Sequence, residues 1–353
     1  PPPQCCGLAV RWRGASPGAR RGGGGGDAMG EPEGEVLRGR AEARGLAAML
    51  QAAAGRAGGG RAGGGAPGPS MGGATTCNVE AGPEGLTVRW EDEGHVLQSQ
   101  VLLRQELFET FQYSGEAPRT AFGLHLNLLA DTLGLFSGLD PGTSLELAYP
   151  GPAGELTFEV REQADNGTSI TTFANLRSAE LPPLADWSAD WVEPASTFHA
   201  PGALLKDAME DLEWAGPRVE LLMERATGRV KFTSAAQGTL SIKVPPQAVT
   251  GFSATRASVR HLYPLAKLRA AFVDLPVGRE VSAIATKVSV DARGMLKVMH
   301  IVDLQAQGAG RAGATLHGRQ AFFESQWQTR GFKNAGILQF LLLPLEEDDE
   351  MTD

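Results

Sequence analysis

LHLNLLADTLGLFSG, residues 124–138, is leucine-rich along one side and carries no cation. It is too short to cross a bilayer, which takes ~20 apolar residues. It is also poor in chemistry, offering only His125, Asn127, Asp131 and Thr132. Leu126, Leu129, Leu133 and Phe136 recur at spacings of 3, 4 and 3, one face of a helix that buries its leucines. The polar side is left to water.

Working outward, strand-like runs flank this helix on both sides. TTCNVEA (75–81), LTVRW (86–90), HVLQSQVLL (95–103) and TAFGLHL (120–126) precede it, with ELFETFQY (106–113) as strand or turn. SLELAYP (144–150), ELTFEV (155–160) and SITTFANL (169–176) follow. Upstream, EVLRGRAEARGLAAMLQAAA (35–54) predicts a helix, with Leu46, Met49, Leu50 and Ala53 on one face. RSAELPPLADWSADWVEPAS (177–196) breaks the rhythm with Pro182-Pro183 and scattered acids, and reads as a linker.

Beyond the linker the order returns. Helix GALLKDAMEDLEW (202–214) leads to strands at 219–224, 230–235 and 238–244. Helix SVRHLYPLAKLRAAF (258–272) leads to strands at 281–290, 295–304 and 337–345. Helix, three strands, helix, three strands, run twice, predicts an α+β duplication with two helices and antiparallel strands in each half.

The ends are of another composition. Residues 1–34 and 55–73 are Gly/Pro/Arg-rich, and the first 75 residues hold 22 of the 46 glycines, so these tracts cannot pack a core. Met29 is a candidate start, and an Arg-bearing transit segment over 1–26 is the minor alternative. The tail EEDDEMTD (346–353) supplies six carboxylates to a net charge of −9, so no global basic signature marks a nucleic-acid binder. A local basic stripe on an acidic body is still compatible with that role. Cys5, Cys6 and Cys77 form no CxxC pair, which fits a reducing compartment and no zinc site.

The ordered apolar segments resemble a family. Duplicated helix–strand halves, a proline-bearing linker and a final apolar strand followed by acids resemble the eukaryotic sliding clamps. Within them, LHLNLLADTLGLFSG, GALLKDAMEDLEW and ATKVSVDARGMLKVMHIV (285–302, with a turn at Gly294) are similar to the Rad-one subunits of the nine-one-one DNA-damage checkpoint clamp. The resemblance covers 35–54 and 75–345; the insertion at 55–73 and QAQGAGRAGATLHGRQ (305–320) have no expected counterpart.

The resemblance implies a DNA sliding-clamp fold in which the chain forms one third of a ring. Clamp domain 1 is then 35–176, the interdomain connector 177–196, and clamp domain 2 197–345. The helices line a hole around double-stranded DNA, held without sequence preference through phosphates. Two other clamp subunits, an ATP-dependent clamp loader, and repair and checkpoint proteins are the implied partners. The implied place is the nucleus, with no membrane and no cofactor.

A pore lining calls for cations at helical spacing. Arg40 and Arg44 stand i, i+4 on the first predicted helix, and Lys206 on the second half's opening helix. Arg256, Arg260 and Lys267 fall within a stripe of roughly 40° at ~3.6 residues per turn. Read without the fold, the same residues are solvated helix faces. Leu181, Leu184 and Trp187 of the connector either border a partner groove or pin the linker to the sheet.

Two alternatives remain open. A homotrimeric replication clamp shares the implied fold. The resembled family has also been credited with 3′→5′ exonuclease activity, which needs carboxylates converging on two cations. The densest acidic cluster is Asp207, Glu210, Asp211 and Glu213, where Lys206 and Glu210 form an ordinary i, i+4 surface pair. No HxH, HExxH or GxSxG string occurs, and GGGGG (22–26) lacks the GK[ST] of a phosphate loop. No catalytic residue and no metal site is expected.

Overall fold

The computed structural model describes residues 36–53, 76–136, 139, 143–163, 168–182, 184–236, 238–272, 282–303 and 335–346. The N-terminal tract, the insertion at 55–73, the stretch 305–320 and all of the acidic tail except Glu346 lie outside the described residues.

The first half runs β1 (Leu37–Glu42), α1 (Ala43–Ala53), β2 (Thr76–Gly82), β3 (Gly85–Glu91) and β4 (Leu97–Arg104). A 3-10 turn (Gln105–Leu107), β5 (Thr110–Tyr113), β6 (Thr120–His125), α2 (Leu126–Phe136), β7 (Ser144–Tyr149), β8 (Glu155–Gln163) and β9 (Ser169–Arg177) complete it. The second half repeats that order. It runs β10 (Pro194–Ala200), α3 (Gly202–Asp211), β11 (Arg218–Glu224), β12 (Arg229–Ala235) and β13 (Thr239–Lys243). A 3-10 turn (Pro246–Ala248), β14 (Thr250–Ala254), β15 (Ser258–Pro264), α4 (Leu265–Ala271), β16 (Ser282–Asp291), β17 (Leu296–Asp303) and β18 (Ala335–Leu342) follow. The duplication extends to the 3-10 turns.

Two expected helices begin later than their apolar spacing suggests. Residues 37–42 alternate, with Leu37, Gly39 and Ala41 buried and Arg38 and Arg40 exposed, the period of a strand. Glu42 then starts α1 by accepting hydrogen bonds from the Arg44 and Gly45 amides at 3.1 and 2.5 Å. Residues 258–264 alternate likewise. Pro264, at φ −65° and ψ 125°, disfavours helix in the residue before it and opens α4 instead of sitting inside a helix. Two strands, β10 and β14, are absent from the sequence reading.

Each half folds into a five-stranded and a four-stranded antiparallel sheet. The first half's five-stranded sheet is β5-β1-β7-β8-β9, and the second half's four-stranded sheet is β13-β12-β11-β15. The remaining two join edge to edge. Strand β18 pairs with β4 from Ile337↔Leu102 to Leu342↔Leu97, giving nine strands in the order β14-β10-β16-β17-β18-β4-β3-β2-β6.

The helices cover one face of these sheets. α1 packs on α2 and α3 on α4, while α1 also reaches β18, a strand of the other half. Met49 of α1 sits over Gly336 of β18, where a Cβ would fall 2.2 Å from its sulfur. The stretch at 124–138 resolves in the same terms. Leu126, Leu129, Leu133 and Phe136 are buried against the sheet, and Asn127, Asp131 and Leu135 stay exposed.

Candidate nucleic-acid and partner interfaces

The exposed side of the helical layer is the candidate DNA-facing surface. Its described cations are Arg44 on α1, Lys206 on α3, and Lys267 and Arg269 on α4. Its described acids are Asp131, Asp207, Glu210, Asp211 and Glu213. Five carboxylates against four cations leave this layer without a positive excess. Several are already paired: Lys206 with Glu210 at 3.6 Å, Arg269 with Glu213 at 2.6 Å, and Lys267 with Asp92 at 2.8 Å.

Three expected pore residues stand elsewhere, because the segments that carry them are not helical. Arg40 is on β1, on the face away from the helices, and bonds Glu109 at 2.9 Å. Arg260 is on β15, also facing away, and bonds Glu220 at 3.4 Å. Arg256 lies in the bend between β14 and β15. The expected stripe of Arg256, Arg260 and Lys267 therefore does not form, and Arg40 and Arg44 share no helix face.

The opposite face of the nine-stranded sheet, here the outer face, carries the connector. Gly123 of β6 exchanges backbone hydrogen bonds with Ala179, 2.8 Å from its amide and 2.9 Å to its carbonyl. From there the chain crosses β2, β3, β4 and β18 in turn. Asn78 Nδ2 donates to the Pro182 carbonyl at 3.1 Å, and Arg89 binds Asp186 at 3.0 Å. Gln98 donates to the Ala185 carbonyl at 2.7 Å and accepts from the Trp187 amide at 3.2 Å. Gln339 donates to Ser188 Oγ at 2.8 Å, and Lys297 lies 4.5 Å from the Trp191 ring centre.

Arg89, only 3% exposed, is the anchor, since Glu80 at 2.9 Å and Asp186 neutralise it from two sides. A row of polar residues facing outward along strands looks like solvated sheet in the sequence; the connector buries it.

Leu181, Leu184 and Trp187 are all half-buried in this connector. Leu181 packs onto Gly123, where a Cβ would come within 2.2 Å of Leu181 Cδ1. Leu181 and Leu184 also line a cavity of about 250 Å³ with Asn78, Glu91, Asp92 and His95. A larger cleft of about 510 Å³, bounded by Glu80, Arg89, Leu102, Arg104 and Arg119, opens beside Asp186. The connector is pinned and flanked by open space at once.

Six strands end the three sheets; among them β9 of the first half and β13 of the second are the equivalents of β18 and β4, the pair that joins the halves. Among the described residues, four of the five exposed large apolar side chains lie at these two edges. Ile170 and Phe173 are on β9, and Leu135 is on α2, which packs against β9. Trp214, 60% exposed, lies over Gly238 at the tip of the β12–β13 hairpin. Long apolar strand edges invite pairing with another chain.

Among the described residues no group of three His, Cys, Asp or Glu side chains could hold a metal ion. Asp207, Glu210 and Asp211 stand exposed on α3. Cys77 is fully buried, and burial pushes its thiol up to about 12, out of the range of a nucleophile. His300 is buried between Thr286 and the Ala271 carbonyl, and burial lowers it to about 4.

Comparisons with known proteins agree with this geometry. A family model described as "Repair protein Rad1/Rec1/Rad17" matches residues 70–302, well over half of the chain. Comparison with curated protein sequences finds no match. Among solved structures, the proliferating cellular nuclear antigen of Entamoeba histolytica superposes with a TM-score of 0.61 at 13% identity. That match covers 88% of this chain and 99% of the other. At that identity the likeness shows the fold, which is the sliding-clamp fold.

Proposed function

The chain belongs to the Rad1/Rec1/Rad17 repair-protein family, and from that premise we propose that it is one subunit of a heterotrimeric DNA-damage checkpoint clamp. In this reading it encircles double-stranded DNA without sequence preference and acts in the nucleus as a scaffold for checkpoint and repair proteins. An ATP-dependent loader opens and closes the ring. The chain works by enclosure and makes no bonds in its partners.

The carrying observation is the β18–β4 junction. The five-stranded sheet of one half continues into the four-stranded sheet of the other through two antiparallel edges. The same two kinds of sheet end in the unpaired edges β9 and β13. Repeating the internal junction between chains pairs β9 of one subunit with β13 of the next. That use satisfies both edges and covers Ile170, Phe173 and Trp214, and a ring closes when the rotation per junction allows.

Charge favours unlike subunits over three copies of this chain. A pore built from this helical layer alone would present five acids against four cations per subunit. Phosphates need net positive potential, so the partners must supply it. Arg44, Lys206, Lys267 and Arg269 are this chain's share.

Co-expression with candidate clamp partners, followed by native mass measurement, tests the reading. A 1:1:1 complex containing this chain, together with a monomer when it is expressed alone, is expected. A homotrimer from the isolated chain overturns the proposal in favour of a replication-type clamp.

A further inference from the structure

The internal duplication assigns the connector a counterpart that the element order leaves open. In the first half the chain leaves β9 at Arg177 and bonds to the free edge of β6 at Gly123, three residues before α2 begins. It then crosses the outer face of β2, β3 and β4, and Asp186 binds Arg89 there. In the second half the chain leaves β18 at Leu342, and the Leu345 amide donates to the Leu262 carbonyl at 2.7 Å. Leu262 lies on the free edge of β15 and stands three residues before α4. The two exits are equivalent: residue 345 stands where the connector begins its crossing.

The surface ahead of residue 345 is built differently from its first-half equivalent. Across the second four-stranded sheet one outward row reads Arg260, Leu222, Lys231, Lys243. The equivalent row of the first half reads Ala121, Glu80, Thr87, Leu102. Lys231 and Lys243 are direct cross-strand partners, a like-charge pairing that disfavours the sheet unless an anion lies over it. Glu220 is committed to Arg260, and Glu224 to Arg229 at 3.6 Å. Neither lysine makes an ion pair with a described residue.

The chain beyond Leu345 reads Glu346-Glu347-Asp348-Asp349-Glu350. Crossing from β15 to β13 takes three strand spacings of ~4.8 Å, about 14 Å, which four or five extended residues cover. The acidic run has that length.

We propose that residues 346–350 dock across the outer face of the second four-stranded sheet, setting their carboxylates over Lys231, Lys243 and Arg260. This is the second-half counterpart of the connector, held by charge where the connector is held by buried hydrogen bonds. Such contacts are exposed, so the dock is salt-sensitive and releasable. The inference concerns the isolated chain and does not depend on ring assembly.

Carbodiimide coupling of the full chain, mapped by mass spectrometry, tests it. Amide bonds between the carboxylates of 346–350 and Lys231 or Lys243 are expected in low salt and lost in ~1 M salt, where the screening length falls to ~3 Å. Coupling spread over Lys206, Lys287 and Lys297 as well, or no coupling, overturns the proposal. A second measurement uses labelled EEDDEMTD peptide and the chain ended after Leu345. The truncated chain should bind the peptide at least tenfold more tightly than does the full chain or its own K231E/K243E variant. Equal binding by all three removes the site, and binding by the full chain at the truncated chain's strength removes the tail as its occupant.

Discussion

The ammonium of Lys267 lies 2.8 Å from Asp92 Oδ2, so a cation of α4 in the second half is tied to the end of β3 in the first. Asp92 also accepts the amides of Val96 and Leu97 at 2.8 and 2.6 Å, shaping the turn into β4, the strand that β18 joins. Burial by itself would raise this carboxyl. The hydrogen bond from Lys267 and the two amides outweigh it and hold the pKa below the ordinary aspartate value. Lys267, one of the cations on the helical layer, is thereby also part of the seam between the halves.

Asp92→Ala should therefore destabilise the fold by about 2–4 kcal/mol, because it orphans two amides and a half-buried ammonium together. Lys267→Met should cost less, since the amides still satisfy the carboxylate. Denaturant titration of both variants measures the difference; an equal or reversed order would remove Asp92 as the organiser of the turn. The stability contributed by Asp92 is present above the unfolded aspartate pKa and lost as pH falls through its lower folded value.

Acid sensitivity should also arise from His300. Its Nδ1 lies 2.9 Å from Thr286 Oγ1 and its Nε2 2.7 Å from the Ala271 carbonyl, against the end of α4. Burial holds it neutral, with a pKa of about 4. The unfolded chain takes up the proton near pH 6.5 and the folded chain only near 4, so stability is full above 6.5 and falls between those values. At pH 5 the loss is about 2 kcal/mol. Unfolding free energies at pH 7.5 and 5.0, with histidine titration followed by NMR, measure it; a His300 resonance that titrates near 6.5 would refute the assignment.

What the sequence disclosed follows from what periodicity can carry. The faces around Leu126–Phe136 and Leu204–Leu212 repeat at helical spacing, and the longer strands alternate, so the α+β duplication was legible. Arg40 and Arg260 were misplaced because strands β1 and β15 run without a loop into α1 and α4, and their apolar residues continue the helical count. β10 and β14 are rich in small and polar residues, and they become strands by pairing, β14 with β10 and β10 with β16. No local pattern marks Arg89, Asn78 and Gln98 as buried, because the connector that covers them comes far later in the chain. No local pattern announces Lys267–Asp92 either; it exists only once the halves meet.

Gly123 should be intolerant of any side chain. A Cβ there would lie 2.2 Å from Leu181 Cδ1 and 3.0 Å from the Ala179 carbonyl, so Gly123→Ala must lift the connector from β6. A loss of about 1–3 kcal/mol is expected, with faster hydrogen exchange at the Ala179 amide. Adding Leu181→Ala should recover much of both, since it vacates the space the new methyl needs. A double variant no better than the single would show that the strain lies in the backbone instead.

Assembly should fail from either end of the sheet system. Phe173 on β9 and Trp214 beside the β12–β13 hairpin are exposed in the single chain, so changing them removes little that holds the fold. Phe173→Asp and Trp214→Asp should each change monomer stability by at most about 0.5 kcal/mol. In a co-expressed complex, each places a charge in a desolvated strand junction, so each should disconnect one neighbour and leave the other attached. Native mass measurement then reads two different dimers, one per variant. Loss of the same partner from both variants would contradict a head-to-tail ring, because one neighbour would be using both edges. Retention of the full trimer by either variant would move that junction away from its strand edge.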